Sequence, residues 1–128
     1  MTALSDRSQR IAELESALAN GFPSESTVVT DADDVSGRLT IHVSWVRVPA
    51  DDSARAWRCA VDLRLDPDVL VRYGSLGAAD RLRVRTQLCD RARRAVDEQK
   101  PRIEDAAIDC SVALDVTHAE FERALQAP

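Results

Sequence analysis

Two runs of strict alternation, Leu39-Thr40-Ile41-His42-Val43-Ser44-Trp45 and Trp57-Arg58-Cys59-Ala60-Val61-Asp62-Leu63-Arg64-Leu65, constrain this chain more than any other feature. Successive side chains of a strand point to opposite faces, so each run is a strand with one apolar and one wet face. The stretch Pro49–Ser53 between them is a turn cluster. Closing a hairpin on those five residues sets Val48 opposite Ala54, Trp45 opposite Trp57, Val43 opposite Cys59 and Ile41 opposite Val61. A slip of one residue would turn one apolar set to water. Odd-numbered side chains of both strands are therefore expected under helices and even-numbered ones in solvent, with the two tryptophans in the core.

The remaining elements follow from period and punctuation. Ile11, Leu14 and Leu18 recur at helical spacing over about Ser5–Asn20, with Gly21 as a left-handed stop, Phe22 folding back beyond it, and Glu13 and Glu15 on a solvated face. Thr27–Thr30 is β-branched enough for a short strand, and the residues from Asp31 through Asp33, Asp34 and Ser36 to Gly37 form a turn. Asp66-Pro67 opens a short helix that ends at Gly74, and a long helix runs from Leu76 or Gly77 to about Gln99, before Pro101. Its apolar arc holds Leu82, Val84, Leu88, Cys89, Ala92, Ala95 and Val96. Ile108, Cys110, Val112, Leu114 and Val116 alternate as a fourth strand, and Thr117 with Glu120 forms a capping box for a last helix carrying Phe121 and Leu125. The order α-β-β-β-α-α-β-α predicts a two-layer α+β domain spanning residues 1–128, a mostly antiparallel four-stranded sheet with its helices on one face.

At 128 residues the chain suits one domain with one core. Its apolar stretches are far shorter than the roughly 20 residues a membrane crossing needs. Met1–Arg10 carries Asp6, Arg7 and Arg10 and lacks an apolar signal region, so a cytoplasmic protein is expected. Three cysteines without CxxC spacing, Cys59, Cys89 and Cys110, fit free, inward-facing thiols in a reducing compartment, and no metal or cofactor is implied. Four glycines in the whole chain build no phosphate loop. The net charge of −5 opposes general affinity for nucleic-acid backbones.

Within that frame, the polar face of the hairpin is the first candidate site. It carries His42, Thr40, Ser44 and Arg58, with Asp62 on the diagonal from His42, and a His–Asp pair there could act as a base. No nucleophile-elbow sequence accompanies it, and these are ordinary residues for a wet strand. His118 reads as surface. From Arg72 to Arg102 nine basic residues stand against four acids. Arg83, Arg91 and Arg94 share the outer face of the long helix with those acids, the pattern of a salt-bridged surface helix more than of a nucleic-acid binder. Arg85 alone falls inside the apolar arc. It either snorkels past the sheet edge or meets a buried acid, and in the second case it marks an interface or a buried ion pair.

The opening Ser8-Gln9-Arg10-Ile11-Ala12-Glu13-Leu14-Glu15-Ser16-Ala17-Leu18, together with the strand Val43-Ser44-Trp45-Val46, resembles a family of small uncharacterised proteobacterial proteins, a domain of unknown function. That resemblance implies no activity. The element order, size and acidity are also similar to type III secretion chaperones, although one strand follows the long helix where that class has two. The reading favoured is a non-catalytic protein- or peptide-interaction domain, chaperone- or adaptor-like, dimerising or binding a partner through a sheet edge or the polar sheet face. A small enzyme using His42 and a weak nucleic-acid binder using the arginine-rich helix 78–99 are the alternatives.

Overall fold

The computed structural model describes residues 3–22, 25–47, 57–98 and 109–126. The elements are α1 (Ala3–Gly21), β1 (Thr27–Ala32), β2 (Leu39–Arg47), β3 (Trp57–Leu65), α2 (Pro67–Ser75), α3 (Ala78–Glu98), β4 (Asp109–Val116) and α4 (His118–Gln126). Their order is the one the hydrophobic periods predict. The sheet runs β1-β2-β3-β4. Two of its pairings are antiparallel, and β4 lies parallel to β3. Parallel neighbours need a long crossover, and α2 and α3 supply it.

Alternation decides the layering. Leu39, Ile41, Val43 and Trp45 of β2 and Cys59, Val61, Leu63 and Leu65 of β3 are all buried, and they form one cluster with Leu14 and Leu18 of α1 and with Val84, Leu88, Ala92 and Val96 of α3. The four α3 residues recur every fourth position, one stripe of a 3.6-residue helix. At roughly 25 cal/mol per Å² of apolar surface removed from water, this shared layer is the main favourable term holding helices to sheet.

The hairpin register differs from the expected one. Trp45 stands opposite Cys59, Val43 opposite Val61 and Ile41 opposite Leu63, while Trp57 pairs with Arg47. Alternation has period two, so this two-residue shift leaves every side chain on its face. Only loop length could have distinguished the two registers. The Val48–Ala54 pair and the Pro49–Ser53 turn fall outside the described residues, as do Ile108, Pro101 and the side chains of Trp57 and Cys110. Trp45 stacks instead on Phe22, ring centroids 4.8 Å apart and tilted by 34°. Phe22 does fold back past α1, but onto the sheet.

Several terminus assignments change. Gly21 is the last residue of α1 and not a left-handed stop, because Gly37 is the one described residue with positive φ, at 73°. Gly37 closes the β1–β2 turn. There the two carboxylate oxygens of Asp33 accept from the Val35 N–H (3.0 Å) and the Ser36 hydroxyl (2.8 Å), and the Asp33 carbonyl accepts from the Gly37 N–H (2.8 Å). The Ser36 hydroxyl, then the Val35 N–H, hold the Asp33 carboxyl below its ordinary pKa. Asp66 and Pro67 do start α2, but the Asp66 carboxylate takes the Arg38 Nε at 3.1 Å and leaves only its carbonyl to cap the helix. Leu82, placed in the apolar arc of α3, is exposed.

Glu120 is the other correction. It does not close a capping box; its carboxylate is 2% exposed and bonds Arg91 of α3, with Arg123 at 3.5 Å. Arg91 thus ties two helices together and is not part of an outer-face pattern. Removing one partner of such a buried pair strands the other's charge, and Arg91→Ala should cost about 3 kcal/mol in urea unfolding. Trp45→Ala should cost more, about 3–5 kcal/mol, by emptying the contact with Phe22; a loss of under about 1 kcal/mol would place the indole outside the core.

Candidate functional site

Helices cover one face of the sheet, and among the described residues the other face is left uncovered. On the uncovered one, His42 stands directly opposite Asp62, not diagonal to it, and His42 Nδ1 contacts Asp62 Oδ1. The direct opposition follows from the same two-residue register shift. Side chains of His42 and Asp62 are 43% and 32% exposed. Thr40 and Ser44 flank His42 on the same strand, half-buried, and Arg58 is exposed opposite Val46. The predicted polar face is therefore assembled.

The helical layer holds a second constellation, which sequence reasoning largely missed. Arg85 does meet an acid. Its Nη1 donates to the Tyr73 hydroxyl (2.8 Å) and to Glu13 Oε1 (3.3 Å). The same Oε1 accepts from the Tyr73 hydroxyl at 2.8 Å and from Arg81 Nε at 3.1 Å, while Arg10 approaches Oε2 at 3.5 Å. Glu13, expected on a solvated face, is the hub joining α1, α2 and α3. Glu15 is also engaged, accepting from the Thr30 hydroxyl of β1 at 2.6 Å. Arg10 and Glu13 are one helical turn apart, as are Arg81 and Arg85, which is the only signal the chain offered. That the two pairs meet depends on α1 lying beside α3.

Electrostatics fit this geometry. Burial alone would raise the Glu13 carboxyl, but the Tyr73 hydroxyl and then Arg81, Arg10 and Arg85 outweigh it and hold the pKa below its ordinary value. Tyr73 moves the other way, pushed up to about 12, chiefly by burial. Burial also raises the Cys89 thiol, which keeps it protonated and unreactive. Elsewhere His118 of α4 bridges to Asp68 of α2 at 3.0 Å, and Arg72 stacks 5.2 Å above the Phe121 ring, so His118 is exposed yet binds two helices together. Among the described residues, no group of three or more His, Cys, Asp or Glu is placed to hold a metal.

A groove opens beside the hub, between α1 and α3, with a volume of about 800 Å³ and Arg10, Glu13, Arg85, Cys89 and Arg93 on its walls. A smaller cavity of about 560 Å³ lies between α1 and α2, lined by Arg7, Arg10, Leu70 and Val71. No described helix is long and apolar enough to cross a membrane.

These features define a two-layer α+β domain with a bare polar sheet face and an arginine-walled groove. Residues 11–115 match the model of the family described as protein of unknown function DUF3022, and the chain belongs to that family. No curated protein and no solved structure matches the chain.

Tyr73 is the sole tyrosine, so its ionisation can be read directly. Absorbance near the phenolate band should titrate with a midpoint of about 12 in the folded protein, against an ordinary value of 10. Because the folded value is the higher one, the Tyr73 contribution to stability is complete below pH ~10 and is lost as pH rises through about 12. A folded-state midpoint near 10 would show the hydroxyl free of this cluster.

Proposed function

We propose that this chain is a non-catalytic protein-interaction domain that self-associates through the open face of its sheet. The observation that carries the reading is coverage. Helices pack on the odd-numbered face, and among the described residues nothing lies over Thr40, His42, Ser44, Arg58 and Asp62. Val29 and Val46, on the same side, are 53% and 57% exposed. Ser44 and Ala60 form a low, flat middle between them. Arg58 and Arg64 supply one sign of charge, and Asp31, Asp62 and Asp115 supply the other. A two-fold-related copy presents the same set, so each of the two arginines has an aspartate of the other copy to meet, the self-complementarity an isologous interface requires.

The His42–Asp62 contact favours a second reading, a small enzyme with His42 as base, since an imidazole oriented by a carboxylate is what proton transfer uses. No nucleophile-elbow sequence accompanies the pair, which weighs against that reading. The arginine-rich α3 supports polyanion binding poorly, because its arginines are interspersed with Asp80, Asp90, Asp97 and Glu98 and the chain carries a net charge of −5. A reducing compartment suits the reading, with the Cys59 and Cys89 side chains both buried.

Sedimentation velocity from micromolar to millimolar concentration should reveal a monomer–dimer equilibrium. Ala60→Glu, with its circular dichroism unchanged, should weaken that equilibrium at least about tenfold, or ~1.4 kcal/mol. A chain that stays monomeric throughout the range overturns the proposal.

A further inference from the structure

We propose that the groove between α1 and α3 is a binding site for a carboxylate carried on an apolar body, with Arg85 and Arg93 as its guanidinium contacts. The site is independent of the sheet face and lies on the opposite layer.

Charge is the first argument. The groove is walled by Arg10, Arg85 and Arg93 but by a single carboxylate, Glu13. That carboxylate is shared further, since it also serves Arg81 and the Tyr73 hydroxyl. One negative charge therefore stands among the three guanidiniums it touches, on a protein whose net charge is −5. Acceptors run short locally as well as charge: Arg10 Nε is buried with no hydrogen-bond partner among the described residues. That atom is closed to the groove, so an incoming anion brings its charge and acceptor oxygens to the Arg85 and Arg93 guanidiniums on the wall.

Shape and lining give the rest of the ligand. The groove is open and has a volume of about 800 Å³, room for a body larger than a bare ion. Ala17, Leu82 and the protonated Cys89 thiol contribute apolar surface, and Leu82 is an exposed large apolar side chain. A planar guanidinium fork holds a carboxylate in two-point contact, and it is the apolar lining that favours an anion carried on an apolar body over inorganic phosphate. Arg93, exposed at the rim, pairs with Asp90 one turn before it on the same helix, an exposed ion pair that a stronger acceptor can displace.

The shared chemistry has two sources, a free organic acid or an acidic peptide segment, and a titration separates them. Resonances of the ¹⁵N-labelled protein are followed at low salt with octanoate, with a capped leucine–glutamate tetrapeptide and with inorganic phosphate. Octanoate or the peptide should shift α1 and α3 resonances saturably, and the tighter of the two names the source. Phosphate should bind at least about tenfold more weakly, a difference that bare charge attraction does not produce. Arg93→Gln sits at the rim, away from the Glu13 hub, and should keep the fold while weakening the carboxylate probe several-fold. Arg85→Gln should weaken it further. Absence of saturable shifts with both carboxylate probes, phosphate binding as tight as theirs, or an Arg93→Gln protein that binds unchanged each overturns the proposal. The dimer-breaking Ala60→Glu protein should bind the probe as the wild type does, so failure of the groove and failure of the sheet interface are read separately.

Discussion

Burial of one face of the β2–β3 pair beneath α1 and α3 is the constraint on which the rest of the structure depends. Alternate residues of both strands, from Leu39 to Trp45 and from Cys59 to Leu65, are driven out of water together, and only a layer of helices can cover so wide an apolar surface. The even-numbered residues are then committed to the other side. His42 meets Asp62 and Ser44 meets Ala60 because their odd neighbours are buried, and the bare face is a by-product of the covered one.

Polar ties complete what apolar burial begins, and they do so between elements more than within them. Glu13 joins three helices, Glu120 joins two, Arg38 reaches both the start of α2 and the end of β4, and Thr30 anchors β1 to α1. Buried or half-buried charges of this kind contribute less to net stability than to choosing one arrangement, because each misplaced alternative would leave an ion unpaired. Three arginines of α3, Arg81, Arg85 and Arg91, are spent in this way. The groove beside Glu13 is walled by Arg10, Arg85 and Arg93 against that one carboxylate.

Much of the fold was legible in the chain. Period-two alternation located β2, β3 and β4, apolar residues four apart located α3, and Asp66-Pro67 marked the start of α2. The candidate polar face was legible too, since His42, Thr40, Ser44, Arg58 and Asp62 follow from strand parity alone. The hub was not. Glu13 sits just beside the apolar stripe of α1, where a carboxylate is ordinarily solvated, and only the approach of Arg81, Arg85 and Tyr73 from sequence positions about 60–70 residues away turns it inward. Glu120 misled for a related reason: its spacing from Thr117 satisfies a capping pattern, yet the Arg91 guanidinium is the stronger donor to its carboxylate.

The sequence by itself determined the apolar faces of β2, β3 and α3, because the spacing of apolar residues along strand and helix is a local property. It left undecided the hairpin register, the parallel direction of β4 and every ion pair between elements. A two-residue slip, a reversed edge strand and an unpaired glutamate all keep the same apolar faces. The tertiary structure decided them: the α2–α3 crossover sets β4 parallel to β3, and the packing of α1 beside α3 gives Glu13 partners that no local pattern supplies.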